Sequence, residues 1–323
     1  MPVQSIRVDD ILIDGSLFSL KGFLCGPDVR KICPEDSFKR LGILYPAVVF
    51  RDGSGRFHII DGAKRAHFAT MDQQENISAI ILTETTPVTD IITFILCGKT
   101  NEIEQSVLNK VQFVCFAASL EAPEPWILNY LCPVFGFRPH SRFLEDCQRI
   151  RKLPEELKSF CHEKRFSMKQ LLNLTYYPEE ILLQLMEWRN EIQLTASILD
   201  EISSNLGDYL KAEEKTIKDF IEESGVQEIL RSSLSPRDRT ERLREVIRLK
   251  RFPVLSEVNA RMERTVEDLK LSQEISVDWD RTLENKNVDI TVRIQDAKKF
   301  SGLIDRLKSL EMKKAVERLL DEL

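Results

Sequence analysis

The feature that most limits what this chain can fold into is a change of hydrophobic period near residue 88. Before it, apolar residues come in short β-branched runs parted by turn residues. Ile6-Arg7-Val8 and Asp10-Ile11-Leu12-Ile13 open the chain as short strands. Pro46-Ala47-Val48-Val49-Phe50 and Phe57-His58-Ile59-Ile60 flank Arg51-Asp52-Gly53-Ser54-Gly55, which predicts a hairpin with Asp-Gly turn chemistry. Ala63 to Met71 reads as a helix and Ile77 to Leu82 as a further strand. From about residue 89 the period becomes 3.6. Helices are predicted over Asp90 to Cys97, Leu108 to Leu120, Arg142 to Leu153, Pro154 to Phe166, Ser167 to Leu174, Glu179 to Asn190 and Thr195 to Asn205. Pro123, Pro125, Pro133, Pro139 and Pro154 punctuate the connections.

Two more changes of pattern follow. Residues 209–270 are highly charged with sparse apolar positions, which predicts long exposed helices or a linker. Val288-Asp289-Ile290-Thr291-Val292-Arg293-Ile294 alternates as a half-buried strand, and Ala297 to Leu323 reads as one or two amphipathic helices. The expected organisation is an α+β domain over 1–88, a helical domain over 89–207, a charged helical linker over 208–270 and a strand-helix segment over 271–323. A lone strand leaves its edges unpaired, so the tail is expected to pair with a second copy, giving a homodimer.

Composition removes several classes of function. The longest apolar runs, such as Ile91 to Cys97, fall far short of the roughly 20 residues of a spanning helix, so no membrane partner is expected. The first ten residues lack the pattern of a secretory signal, and seven cysteines at irregular spacing read as reduced thiols, so the expected location is cytoplasmic. His58, His67, His140 and His162 are scattered, and no metal site is expected. Trp126, Trp188 and Trp279 sit among apolar neighbours and are expected in cores. A net charge of −6 leaves room for polyanion binding only at a local basic patch.

The candidate chemistry lies in the front part. A helix ends at Gly42 and the chain enters a strand through Tyr45-Pro46; later a strand runs through Asp61-Gly62 into a helix whose first turn holds Lys64 and Arg65. Free N–H groups at that helix start, with two adjacent cations, suit a phosphate. A plain helix start with solvated cations, and Asp61 as the helix cap, are the structural alternatives.

The order of these pieces resembles the ParB family, whose N-terminal fold is shared with sulfiredoxin. Gly42-Ile43-Leu44-Tyr45-Pro46 stands where that family has Gly-Leu-Leu-Gln-Pro, and Gly62-Ala63-Lys64-Arg65-Ala66 where it has Gly-Glu-Arg-Arg and an Arg-Ala helix. Leu153-Pro154-Glu155-Glu156-Leu157 and Phe166-Ser167-Met168-Lys169-Gln170-Leu171-Leu172 are similar to its later helices, so the likeness covers about residues 5–205. The resemblance implies an α+β ParB/sulfiredoxin-like domain, a mostly α-helical DNA-binding domain and a small strand-helix C-terminal segment. It implies a nucleotide pocket for CTP or ATP with Mg2+, gating a clamp on DNA in partitioning or regulation. The nucleotide-binding positions would be Gly42, Tyr45, Pro46, Asp61, Gly62, Lys64 and Arg65, with a second box at Asn101, Glu102 and Gln105. Ala63 replaces the family's Glu, and Gln105 its Arg. Loss of that guanidinium removes a contact of about 1.5–3 kcal/mol. Turnover as a CTPase is left open, and no catalytic residue is assigned. A sulfiredoxin chemistry would need Cys at position 63, where this chain has Ala63; a phosphotransferase or nuclease using Asp61 and Arg65 stays open, as does an interaction protein with a degenerate pocket.

In the family the helical part carries a helix-turn-helix, and the matching stretch runs from Pro125 to Leu153. Residues 138–152 hold Arg138, Arg142, Arg149, Arg151 and Lys152 against Glu145 and Asp146. Arg138, His140, Ser141, Arg142, Arg149, Arg151 and Lys152 are therefore the candidate DNA contacts. Cys132-Pro133 is expected to interrupt the preceding helix. A second basic stretch, 231–251, is read either as a phosphate-tracking helix or as a solvated linker helix.

Overall fold

The computed structural model describes residues 2–20, 35–294 and 296–323. The chain forms two compact units: Met1–Glu187 with Thr195–Asp200, and Trp188–Leu194 with Glu201–Leu323. An N-terminal mixed sheet leads into a long helical stretch and then a small C-terminal β-α segment.

The sheet is built from β1 (Val3–Arg7), β2 (Ile11–Leu12), β3 (Ala47–Arg51), β4 (Phe57–Asp61) and β5 (Asn76–Leu82), in the order β1-β5-β3-β4-β2. β1 runs antiparallel to β5, β3 parallel to β5, β4 antiparallel to β3, and β2 parallel to β4. Period-two alternation puts Ala47 and Val49 of β3 and Ile77 and Ala79 of β5 inward, where they pack with Ile6, Val8, Ile11 and Ile59. Two helices belong to this layer, α1 (Glu35–Leu41) and α2 (Ala63–Met71). The predicted hairpin is present, and Asp52 organises its turn. The Asp52 carboxylate accepts from the Ser54 hydroxyl at 2.6 Å, the Ser54 amide at 3.0 Å and the Arg56 amide at 2.9 Å. His58 Nε2 lies 3.1 Å from its other oxygen. These bonds, that from the Ser54 hydroxyl foremost, hold the Asp52 carboxyl well below the usual carboxylate range. Buried His58 also accepts from the Leu17 amide at 3.4 Å, and Ser16 donates to the Ile59 carbonyl at 2.7 Å. Loop 15–20 is thereby pinned to β4.

The helices of the first unit follow the 3.6 period. They are α3 (Val88–Ile103), α4 (Val107–Ser119), α5 (Glu124–Trp126), α6 (Cys132–Val134), α7 (Phe143–Arg151), α8 (Glu155–Glu163), α9 (Met168–Leu174) and α10 (Glu179–Trp188). Phe113, Leu131, Ile150, Leu157, Leu171 and Ile181 fill their core. Pro133 does not break the chain into separate helices. A π-helical turn over Ile127–Leu131 joins α5 to α6, and Pro133 sits in the first turn of α6. The wider turn absorbs the register change that a missing N–H imposes. Trp126 differs from expectation: it is half-buried and stacks on exposed Tyr130 at 5.1 Å, whereas Trp188 and Trp279 are buried. Cys115, Cys132, Cys147 and Cys161 are buried free thiols. Burial pushes Cys115 and Cys132 up to about 11 and Cys161 up to about 12, and Cys147 is raised as well. Protonated thiols of this kind are core fillers.

α11 (Ala196–Ala212) continues into the second unit, which holds α12 (Ile217–Glu223), α13 (Val226–Arg231), α14 (Pro236–Arg251) and α15 (Pro253–Asp268). The charged stretch therefore folds, and its few apolar residues are spaced to bury Phe220, Val226, Leu243, Ile247 and Met262. Three of the α14 cations are engaged: Arg239 with Glu191 at 2.8 Å, Arg244 with Glu201 at 2.7 Å and Arg251 with Asp208 at 3.2 Å. The tail corrects the lone-strand reading. β6 (Ile275–Trp279) pairs antiparallel with β7 (Val288–Val292) inside the chain. Val277 and Trp279 of β6 pack with Met262 of α15 and with Met312, Ala315 and Leu319 of α17 (Leu310–Glu322), and Val288 of β7 packs against this cluster. α17 follows α16 (Ala297–Leu307), so the amphipathic tail is two helices.

Candidate functional site

The junction between β4 and α2 is organised by Gly62 and Arg65. Gly62 has φ of +95°, a left-handed conformation that reverses the chain and that a side chain would strain. A Cβ there would also lie 2.8 Å from Nε of Arg65 and 3.0 Å from its Cζ. The glycine thus makes room for a guanidinium folded back over the start of its own helix. That guanidinium donates from Nη1 to the Pro46 carbonyl at 2.6 Å and the Tyr45 carbonyl at 3.1 Å. Nη2 donates to Asp61 Oδ2 at 2.5 Å. Arg65 is a strut that ties α2 to the entrance of β3, with part of its donor fork left over for an anion. Asp61 faces this strut and does not cap α2; the helix start has no side-chain cap at all. The first-turn N–H groups of α2 are therefore unanswered by a side chain.

These groups open on a recess of about 720 Å3. Tyr45, Asp61, Gly62, Lys64 and Arg65 line it, as the sequence places them. Pro46 adjoins it through the carbonyl held by Arg65. Gly42 ends α1 with φ of +67° and its amide bonded to the Phe38 carbonyl at 2.8 Å; it shapes the turn and is not among the described lining residues. Asn101, Glu102 and Gln105 are not among them either. They sit at the α3–α4 junction, where buried Asn109 donates to the Glu102 carbonyl at 2.6 Å. Phe94, Gly98 and Lys99 of α3 line the recess in their stead. Their i, i+4, i+5 spacing on an otherwise apolar helix was the available signal. Lys99 reaches Glu102 at 3.3 Å, so Lys64 and Lys99 supply the cations around the helix start, and Asp61 is already matched by Arg65.

The second candidate region is α7 with the turn before it. Gly136, at φ of +74°, lets the chain leave α6; Phe135 and Phe137 pack edge to face across the turn, and Phe137 packs on Phe143 at a tilt. Arg138, Ser141, Arg142 and Lys152 are exposed. His140 Nδ1 accepts from the Arg142 amide at 3.3 Å, and its Nε2 lies 3.5 Å from Asp146. Asp146 also approaches Arg149 at 3.7 Å. Arg149 lies over exposed Tyr176, with Cζ 4.2 Å from the ring centroid, a cation–π contact that the sequence did not reveal. Arg151 stands apart. Its carbonyl accepts from buried Lys158 at 3.2 Å, and its side chain lines a different recess beside α4.

No protein-family profile matches this chain, and no curated protein does. Among solved structures it is similar over part of its length to two of a C-terminally truncated chromosome-partitioning protein ParB from Caulobacter crescentus. With the form complexed with CTP-gamma-S it shares 11% identity over 58% of this chain and 98% of that one, at a TM-score of 0.22. With the form complexed to the centromeric parS site it shares 14% identity over 62% of this chain and 98% of that one, at a TM-score of 0.29. The likeness to ParB is weak and partial, and spans about 60% of the chain.

Proposed function

We propose that this chain is a ParB-like DNA-binding protein with a nucleotide pocket at the β4–α2 junction. One observation carries the reading: an uncapped helix start, Lys64 and Lys99 surround a recess of about 720 Å3. That volume lies within the roughly 300–1,000 Å3 range of small-ligand sites, and helix-start N–H groups with adjacent cations suit phosphate. CTP or ATP with Mg2+ would place its phosphates at the first turn of α2, held by Lys64, Lys99 and the free part of the Arg65 fork. Phe94 and Tyr45 offer apolar surface for the rest of the nucleotide. The group supplies charge and, if turned over, a phosphoryl bond; this chain's residues bind and orient it.

DNA would be met by the exposed cations Arg138, Arg142 and Lys152, with Arg149 steadied on Tyr176. The start of a helix placed in the major groove reaches base edges, which gives Arg142 sequence choice and leaves Lys152 to phosphate. Two copies would join through the outer edge of β7, where Ile290 and Ile294 are exposed. The test is a mobility-shift series on duplexes of varied sequence at several salt concentrations, with and without CTP or ATP. Salt-dependent retention that prefers some sequences and changes with nucleotide is the expected result. Absence of retention on every duplex at low salt would contradict the DNA reading.

A further inference from the structure

His58 is buried in β4, and both of its ring nitrogens are engaged. Period two along the strand turns Phe57 and Ile59 toward the sheet core and leaves His58 on the side of loop 15–20. The Leu17 amide donates to Nδ1 at 3.4 Å, so Nδ1 is the nitrogen without a hydrogen. Nε2 then bears the hydrogen, and it donates to Asp52 Oδ2 at 3.1 Å. Asp52 stays anionic where histidines titrate, because its bonds in the turn, that from the Ser54 hydroxyl foremost, hold its carboxyl low. Among the described residues, the other charged groups around this pair come from several elements. Arg56 lies 3.5 Å from the same Asp52 oxygen, and the Glu84 carboxylate lies against Gly53 of the turn. Arg51 ends β3 near the Phe57 ring, Asp14 precedes the loop, and Arg151 of α7 lines the cleft on the far side of the loop. The strand residues paired with His58, Leu12 and Phe50, are uncharged. Phe18, Ser19 and Leu20 of the same loop form part of the wall of the Gly62 recess.

We propose that His58 is a pH-sensitive latch that, when neutral, holds loop 15–20 on β4 and with it one wall of the Gly62 recess. A proton from solvent and the Leu17 amide compete for the one lone pair on Nδ1, so each weakens the hold of the other. Once Nδ1 is protonated, it and the Leu17 N–H face each other as two donors, and the amide of this exposed residue turns to water. The ring itself stays in place, because Asp52 holds Nε2–H in both forms. Ser16, bonded to the Ile59 carbonyl at 2.7 Å, and Phe18, packed on Phe50 at 5.4 Å, are separate anchors. Protonation therefore loosens the loop at Leu17 without detaching it, and the response is a few-fold change. The consequence for a ligand rests on the reading of the Gly62 recess as a nucleotide site; the latch does not.

Hydrogen exchange on the full chain, resolved at Leu17 and corrected for the intrinsic pH dependence of exchange, tests the latch. It is measured at about pH 8 and about pH 5.5, the two sides of histidine titration, in the wild type and in His58→Asn. An asparagine keeps an acceptor near the Nδ1 position and does not titrate. The expected result is protection of Leu17 that falls roughly three- to tenfold on acidification in the wild type, the scale of one lost hydrogen bond, and stays level in His58→Asn. Nitrogen spectra of histidine-labelled wild type should show the Nε2–H tautomer of His58 at the higher pH, a readout that does not depend on how well the variant folds. Equal protection at both pH values in the wild type, or an Nδ1–H tautomer, overturns the latch. A parallel titration with CTP and Mg2+ reads the recess: affinity should fall more steeply with acid in the wild type than in His58→Asn, whose slope measures everything else that titrates. Parallel slopes overturn control of the recess by His58. Absence of CTP binding at either pH, with Leu17 protection still dependent on pH, overturns the nucleotide reading and supports the latch.

Discussion

Gly62, Arg65 and Lys64 stand side by side in sequence and do different work. Gly62→Ala puts a side chain at φ of +95° and drives a Cβ against the Arg65 guanidinium. Strain of that kind costs about 1–3 kcal/mol, to be read as a lower midpoint in denaturant unfolding. Arg65→Ala removes two bonds that fasten α2 to the turn before β3 and one to Asp61 at the end of β4, so it lowers stability as well as nucleotide affinity. Lys64→Ala, with no such bonds, lowers affinity and leaves the unfolding midpoint in place. Unfolding curves of the three variants separate strut from ligand. His162 gives a pH prediction. It is hydrogen-bonded to the Ser106 hydroxyl, Nδ1 to Oγ at 2.8 Å, and burial, the largest influence, lowers its pKa from 6.5. The unfolded chain then holds the extra proton more readily. The contribution is full above about pH 6.5 and is lost as pH falls through the lower folded value. Stability is expected to decline from pH 7 toward pH 5, and His162→Gln should flatten that slope. An unchanged slope in the variant would assign the decline to other groups.

At the scale of elements, the strongly patterned pieces were legible in the sequence. Ala63–Met71 is a helix with the predicted ends, and the Asp52-Gly53 hairpin lies where its turn chemistry places it. Elements set by tertiary partners were not. β6 is five residues beside a polar stretch, and it is recognisable only once α17 covers Val277 and Trp279. The π turn before Pro133 depends on a wider hydrogen-bond register that residue spacing does not reveal. The same holds for the site. The Gly62 turn was legible because a left-handed turn needs glycine; Phe94, Gly98 and Lys99 of α3 line the recess, whereas Asn101, Glu102 and Gln105 sit at the α3–α4 junction. β7 carries the assembly prediction. Removing residues 271–323 would also uncover Met262 and Leu269, so a point change is the cleaner probe. Ile290→Lys, at an exposed side chain of β7 opposite Val277, is expected to convert a dimer to a monomer in light scattering without unfolding the chain. A wild type that is already monomeric at tens of micromolar, about the range where a functional dimer should persist, would remove that assembly. At the two ends of α7, Lys152→Ala is expected to reduce the slope of log affinity against log salt by about 1, while Arg142→Ala should relax sequence preference.

In the whole molecule, the recess at the β4–α2 junction and the basic face of α7 belong to one compact unit of an acidic chain. No helix among the described residues is long and apolar enough to cross a membrane. A net charge of −6 makes nonspecific attraction to nucleic acid weak, so any DNA affinity must come from a local basic patch. The central claim is that the β4–α2 junction holds the phosphates of a nucleotide. Its most direct test is calorimetric titration of CTP and ATP, with Mg2+, into the wild type and Lys64→Ala, each with and without duplex DNA. Saturable binding of a nucleoside triphosphate to the wild type is expected, with an affinity about tenfold lower in the variant, the scale of one charge-assisted contact. No binding of either nucleotide to the wild type, with or without DNA, or equal affinity in the two proteins, would contradict it.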